Sequence, residues 1–459
     1  MSARRFGTLA ALMLAFAMAA APGVAAPIKV QGPGSATTAA RTSLSLFAGA
    51  YPVQLVETVP IETTVGHGGL PRAREVWIEM IGGARDSIDL EGFYLSTWSG
   101  EPLEGVITAL GEAARRGVKV RVLLDKGMGT TYPQPADSLA KLPGFELRWI
   151  DMKRIAGGIQ HSKYFLIDGE QTFFGSQNFD WRSLKHIHEL GVRVRDRRVT
   201  QAFGEVFAWD WQAADTMTWI PGPAAAPSAV LTENALRKLP APPASRRLEL
   251  PIRIEQSPGD TVFAWPSYTP RGWIPDSTRW DLDAIVRLID QARHELVVQL
   301  LTYSPEEYGV TDSTLDDALR RAAKRGVHVK LAISDWIVNG RGLAWLQRLS
   351  RVPNVEVKLV TYPEWSGGYI AFARVDHCKY AVADTAVTWI GTANWGPGYF
   401  HGSRNLALTL ENRPLATDAR RVFESVWASA YAAPVRVDFK YAEKIRGTTP
   451  PPGRKAYGN

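Results

Sequence analysis

Residues 161–178 read HSKYFLIDGEQTFFGSQN, and residues 377–394 read HCKYAVADTAVTWIGTAN. Both fit one pattern, H-x-K, four residues, D, six residues, G-[ST]-x-N. Repetition of spaced, specified positions within one chain points to duplication, and the flanks agree. AARRGVKVRVLL (113–124) matches AAKRGVHVKLAI (322–333), each a basic helix end, a turning glycine and a β-rich run. Upstream, AREVWIEMIGGARDSIDLEGFYL corresponds to LDAIVRLIDQARHELVVQLLTY; downstream, FELRWIDM corresponds to VEVKLVTY. Each half therefore predicts helix, strand, helix, strand, strand, then the repeated element as a strand pair. Strands alternating with helical patterns predict two similar α/β domains, each a mixed β-sheet flanked by helices. Fused copies of one domain pack most simply about a pseudo-twofold axis, which brings equivalent surfaces face to face.

The length of 459 residues suits this reading, since one hydrophobic core rarely grows so large. Residues 27–220 form the expected first domain and 252–440 the second. The Pro/Ala-rich stretch 221–251 between them reads as a linker or surface excursion, and 441–459 as a disordered tail. Residues 1–26 combine a positive start, a short apolar run and small residues before Ala26, the composition of a cleaved signal peptide. The protein is expected in the periplasm or outside the cell, with no integral membrane segment after cleavage. A formal charge of +7 suits an anionic partner, nucleic acid or a phospholipid headgroup, without choosing between them. Cys378 is the single cysteine, so no disulfide can form within the chain; it reads as a small buried residue.

On a strand, His161 and Lys163 share a face, as do Ser176 and Asn178 on the next. Gly175 permits close approach of backbone or ligand. An imidazole, an ammonium, a hydroxyl and an amide are the groups that grip phosphate oxygens and attack phosphorus. His377, Lys379, Thr392 and Asn394 repeat the set. One set cannot easily attack phosphorus and also protonate the leaving oxygen from the opposite side. Two sets facing across an interface can, so each copy is expected to make half of one active site. Asp168 and Asp384, separated by four residues from Lys163 and Lys379, read as support for the motif loop.

This pattern resembles the paired HKD motifs of the phospholipase D superfamily, over about residues 55 to 435. VETVP (56–60), GSQNFDWRSL (175–184), HELGV (188–192), ARVDHCKY (373–380) and IGTANW (390–395) are most similar to the animal lysosomal phospholipase D-like proteins. The resemblance implies a phosphodiesterase that works through a covalent phosphohistidine without cofactor or metal. Its substrate would be single-stranded DNA or RNA, attacked as a 5′ exonuclease. Phospholipase D or phosphatidyltransferase activity on membrane lipids is the alternative enzyme, and an inactive phosphate-binding protein the non-enzymatic one. The superfamily often carries a carboxylate 28 residues beyond the motif histidine; Glu189 and Asn405 occupy those places. With pairing crossed between halves, as the resemblance suggests, Glu189 backs His377 as general acid and Asn405 backs His161 as nucleophile. Uncrossed pairing reverses the roles.

Trp181, Trp395, Phe93, Tyr303 and His401 lie near the motifs and are candidates to shape a substrate cleft or stack on a base, with core packing the alternative for the two tryptophans. Arg182 could hold a second phosphate or an ordinary ion pair. The His186-x-His188 spacing could ligate a metal, but no third ligand is evident in the sequence, and both read as strand residues of a surface or groove.

Overall fold

The computed structural model describes residues 51–216, 248–307 and 310–457. The leader at 1–26 lies outside the described residues, as does all but the last four residues of the stretch 221–251. In the first half, the strands β1 (Val53–Thr58), β2 (Ser87–Gly92), β3 (Lys119–Asp125), β4 (Phe145–Ile150), β5 (Tyr164–Ile167), β6 (Gln171–Gly175) and β7 (Glu189–Val194) form one sheet. Its order is β1-β7-β6-β5-β2-β3-β4. In the second, β8 (Ile252–Ser257), β9 (Asp260–Thr269), β10 (Glu295–Leu300), β11 (His328–Ser334), β12 (Val355–Val360), β13 (Lys379–Ala383), β14 (Val387–Gly391), β15 (Asn405–Glu411) and β16 (Ala432–Pro434) form another. That order is β8-β9-β15-β14-β13-β10-β11-β12-β16. The run β7-β6-β5-β2-β3-β4 is thus repeated as β15-β14-β13-β10-β11-β12. In both, the last three strands are parallel and the remaining pairings antiparallel.

Three helices repeat as well: α1 (Ala73–Gly82), α2 (Leu103–Arg115) and α3 (Arg197–Thr216) answer to α4 (Asp281–Gln291), α5 (Thr314–Lys324) and the last helix, α7 (Arg413–Trp427). α6 (Gly342–Leu349) stands where the first half has only the short turn Ala136–Leu139. In α2, Leu103, Val106, Ile107, Leu110, Ala113 and Ala114 are buried, the i, i+3, i+4 spacing of an apolar stripe. α5 repeats it with Leu315, Ala318, Leu319, Ala322 and Ala323. Gly117 and Gly326 follow these helices at φ +92°, a left-handed turn that a Cβ would strain.

The last helix of each half works across the seam. α3 packs on β5 and β6 of its own sheet's neighbourhood and on β9 of the other half, while α7 packs on β13–β15 and on β1. One apolar core is therefore continuous through both halves, with Leu55, Phe174, Leu190 and Phe203 meeting Tyr268, Ile285, Leu406 and Phe423. A second cluster lies under α1 and α2, where Trp77 packs edge-on against Phe165 and Phe173. Among the described residues no helix is long and apolar enough to cross a membrane.

The C-terminal segment departs from expectation. Instead of a disordered tail, residues 441–457 are laid back over the molecule. Tyr457 N donates to Tyr369 O (2.8 Å), Phe372 N donates to Arg446 O (2.7 Å), and the Tyr457 hydroxyl reaches Glu101 (2.7 Å). Arg446 and Lys444 pair with Asp335, and the Tyr457 ring packs on Trp365 and Trp181. Isolated anchors in a Pro/Gly-rich run carry no periodicity, which is why the sequence conceals the order.

Candidate active site

Each motif histidine is stitched to the opposite half. His161 N donates to Arg404 O (3.0 Å) and Arg404 N to Ile159 O (2.9 Å). At the equivalent place His377 N donates to His188 O (2.9 Å) and His188 N to Val375 O (3.1 Å). The segments therefore form one-residue parallel bridges, Gln160 with Arg404 and His188 with Asp376. This corrects one detail of the sequence reading. The strands begin at Tyr164 and Lys379, so His161 and His377 stand ahead of them in extended chain whose partners lie across the seam.

The imidazole partners are likewise crossed. His161 Nδ1 lies 3.1 Å from Asn405 Oδ1, and His377 Nδ1 lies 2.8 Å from Glu189 Oε2. The Asn405 amide is fixed because its Nδ2 donates to the carbonyl of Tyr399 (2.9 Å) and to Thr269 Oγ1 (3.1 Å). Its Oδ1 can then only accept, so His161 carries a proton on Nδ1 and the neutral ring presents the Nε2 lone pair. Glu189 is held in turn by the Ser183 hydroxyl (2.9 Å).

Hydroxyls of the two motifs brace these partners. Ser176 Oγ bonds both Leu190 N (3.0 Å) and Leu190 O (3.2 Å), the residue after Glu189. Thr392 Oγ1 accepts from Leu406 N (3.1 Å) and donates to Asn405 Oδ1 (3.0 Å). The Lys163 ammonium donates to the carbonyl of His161, and Lys379 to that of His377 (2.6 Å). Asn178 Oδ1 and Asn394 Oδ1 are buried and make no hydrogen bond to any described residue. Gly175 and Gly391 lie where a Cβ would sit 2.5 Å from Gly191 Cα and 3.0 Å from Ala407 Cβ, so each lets neighbouring strands close up.

Burial dominates the electrostatics. His161 is held well below the ordinary histidine range by desolvation, then by the Lys163 and Lys379 charges. His377 is lowered by burial and the same two lysines. Burial also drives Lys163 down, with Lys379 adding to it, and brings Lys379 to about 8. Burial raises Glu189 to about 8 although both lysines and two hydroxyls oppose it. The Glu189 carboxylate therefore does not by itself set the charge on His377. Glu189 and His377 share protons as a pair, and desolvation sets where the pair titrates. The histidine and lysine of each half feel the charges of the other, so the two motifs form one electrostatic unit.

A family model described as "Cardiolipin synthase, PLD-like domain" matches residues 77–211 and 285–427, one match on each half. The chain belongs to the phospholipase D superfamily. Similar curated proteins include the 5′-3′ exonuclease PLD3 of Bos taurus, 30% identical over 415 residues, covering 82% of this chain and 79% of that one. Phospholipase D Z of Dictyostelium discoideum is 27% identical over 402 residues, covering 83% and 90%. Among solved structures, phosphatidylserine synthase of Haemophilus influenzae shares the fold at TM-score 0.57 and 12% identity, covering 80% and 85%. As a superfamily member the protein is a phosphodiesterase, of the nuclease or phospholipase D kind.

The phospholipase D motif residues do not all meet at the interface. Asp168 and Asp384 sit on left-handed turns at φ +55° and +53°. The Asp168 carboxylate accepts from the backbone of Arg85, Asp86 and Ser87, and that of Asp384 from Arg293, His294 and Glu295. They fasten the start of β2 and β10, apart from the histidines. Phe93 is half-buried, edge-on to His161 at 5.7 Å. Trp181, Trp395 and Tyr303, considered as substrate contacts, are instead core residues: Trp181 and Trp395 are each 2% exposed, and the Tyr303 hydroxyl is spent on Asp316 (2.6 Å). His401 is exposed and bonds Asp312 (2.7 Å). Arg182 is folded onto Asp180 and Ala371 O.

Sequence reasoning missed Tyr399, whose half-buried ring meets His161 edge-on at 5.0 Å on the helical turn Pro397–His401. It also missed the buried Arg404–Asp210 pair (Nε to Oδ2 2.6 Å), which joins the residue ahead of β15 to α3 across the seam. Writing the halves one above the other would have exposed Arg404, since it precedes Asn405 as His188 precedes Glu189. The H-x-H residues are both fully buried, contrary to the groove reading. His186 packs against Trp181 and Trp365, while His188 lies beside Asp376 and Cys378, a third-ligand set that the sequence did not reveal.

Proposed function

We propose that this phosphodiesterase is a single-stranded nucleic acid 5′ exonuclease acting through phosphohistidine. The observation that carries the mechanism is the crossed pairing of His161 with Asn405 and His377 with Glu189. His161 Nε2 attacks phosphorus, forming the N–P bond as the bond to the leaving oxygen breaks. His377 Nε2 gives its proton to that oxygen. Water then attacks the phosphohistidine, returns a proton to His377 Nε2 and frees His161. Lys163, Lys379, Asn178 and Asn394 take up the charge on the pentavalent phosphorus. The Asp168 and Asp384 turns fasten β2 and β10, the strands that pair with β5 and β13 of the two motifs.

Similarity to the exonuclease PLD3 across most of both chains supports the nucleic acid substrate, and half-buried Phe93 and Tyr399 offer aromatic surface beside His161. The similarity to phospholipase D Z supports the lipid alternative. The composition of residues 1–26, that of a cleaved signal peptide, supports a location outside the cytoplasm. End-labelled single-stranded oligonucleotides, and vesicles with an added primary alcohol, distinguish the readings. Stepwise loss from the 5′ end, abolished by His161→Ala and by His377→Ala, is expected. Headgroup release without oligonucleotide cleavage would overturn the nuclease reading, and turnover unaffected by both substitutions would overturn the site.

A further inference from the structure

We infer that His188, Asp376 and Cys378 form a binding site for one divalent transition-metal ion of the zinc type. Their ligand atoms all lie within 4.8 Å of one another, and all three residues are buried. His188 Nδ1 is 3.3 Å from Asp376 Oδ2 and 3.7 Å from Cys378 Sγ. Donors held roughly 2.0–2.3 Å from one ion in tetrahedral array stand about this far apart. Nitrogen, carboxylate and thiolate together suit zinc and its neighbours, not magnesium or calcium.

The surroundings are those of an outer ligand shell. His188 Nε2 lies 3.0 Å from Glu57 Oε1, which accepts its proton and turns Nδ1 toward the other two donors. Gln299 Nε2 (2.6 Å) and the Tyr362 hydroxyl (3.3 Å) donate to Asp376 Oδ2. Arg72 neutralises Glu57 (2.8 Å). With a neutral imidazole, the charge left over is that of Asp376 and a Cys378 thiolate, which a dication balances. Uptake of the ion forms the sulfur and nitrogen bonds and releases the thiol proton, together with any proton His188 holds on Nδ1.

The duplication supplies an independent argument. The places of His188, Asp376 and Cys378 are taken in the other half by Arg404, Gln160 and Ser162. There the cluster is closed by a permanent cation: Arg404 pairs with Asp210, and Gln160 bonds Ser162 (2.7 Å) and Glu91 (3.0 Å). Three poor ligands on one side thus correspond to three good ones on the other. The ion touches no substrate. It positions the loop carrying His377, whose N–H bonds His188 O.

The full chain, as purified and desalted, is titrated with Zn²⁺ and Co²⁺ and its bound metal measured. One ion per chain is expected, with a thiolate-to-cobalt charge-transfer band and a higher melting temperature when loaded. Cys378→Ser and His188→Gln should lower the metal content at least tenfold and remove the band, while His401→Gln, outside the cluster, keeps both. Serine occupies the matching place in the other half, so Cys378→Ser is expected to fold, and circular dichroism checks it. Wild-type chain that retains no ion, or cluster variants that hold as much metal as wild type, would overturn the site. The readout needs no phosphodiester turnover, so it fails or succeeds independently of the proposed activity.

Discussion

His377 Nδ1 lies 2.8 Å from Glu189 Oε2, and the two residues come from opposite halves of the duplicated chain. The pair holds two protons below its titration and one above. One proton lies between Nδ1 and the carboxylate, so the second is on Nε2, where a leaving oxygen would collect it. Burial raises Glu189 to about 8, so the rate should fall as pH rises through that value. Lys379, brought to about 8 by burial, loses its charge over the same range and steepens the fall. In Glu189→Gln the imidazole loses its proton store, while burial and two lysines keep it below the histidine range. A loss of about 10²- to 10³-fold in kcat at neutral pH is expected. A kcat/KM profile of wild type and variant checks this, and an unchanged alkaline limb in Glu189→Gln would remove the pair from catalysis.

His161 is backed by an amide, and Asn405→Asp tests why. A carboxylate at 3.1 Å would favour the imidazolium, which has no lone pair for phosphorus. The carboxylate charge should raise the His161 pKa from the position to which burial lowers it. The acid limb of the profile should move upward, with about tenfold lost on that side and little at alkaline pH. Equal loss at every pH would mean that the substitution merely disturbs packing.

Much of this site was legible because duplication acts as an internal control. Helix α2 with Gly117 and helix α5 with Gly326 could be aligned by eye, and the motif positions named most groups at the seam. The crossed partners Glu189 and Asn405 followed only through the family resemblance. What stayed hidden depends on burial across the seam. Trp181, beside a motif, could stack on a base or pack in the core, and it is Tyr457 from the C-terminal segment that helps to bury it. Tyr399 reaches His161 through a five-residue helical turn with no motif of its own. Asp376 and Cys378 flank the motif histidine, but nothing in linear spacing brings His188 to them.

Lys163 and Lys379 should matter for turnover beyond their effect on substrate affinity. Each is buried and spends one donor on the carbonyl of its own motif histidine. Replacement by methionine keeps the length and apolar stem but removes the charge that balances the pentavalent phosphorus. A loss of about 10²–10³ in kcat is expected for either variant, the range for removing one preorganised donor. Steady-state kinetics check it: a rise in KM with kcat intact would make the lysines binding groups only.

Arg404 and Asp210 form a fully buried pair that joins the halves, and Arg404 O also anchors His161 N. Asp210→Ala leaves a guanidinium buried without its carboxylate, at a cost of about 3–5 kcal/mol. The melting temperature should drop sharply, and remaining folded protein should lose activity through His161. A melt that does not move would mean that Glu91 or solvent compensates the guanidinium.

Asp168 and Asp384 distinguish support from chemistry. Each carboxylate accepts three consecutive backbone N–H groups at the start of β2 or β10, on a turn at positive φ. Alanine removes the acceptor and leaves a less tolerant residue in the left-handed conformation. Because these turns are near the surface, the freed N–H groups can turn to water, and a cost of about 1–2 kcal/mol is expected for each. The Asp384 pKa is lowered because the three N–H bonds outweigh the burial that pushes it up. Its contribution is therefore present above the unfolded carboxylate value and lost as pH falls through the folded one. Wild type and Asp384→Ala should differ in melting temperature at pH 7 and converge in acid. At a temperature where both are folded, kcat should stay within about threefold of wild type, since neither carboxylate touches a motif histidine. A loss as large as that of the lysine variants, with the melting temperature unchanged, would instead place Asp384 in the reaction.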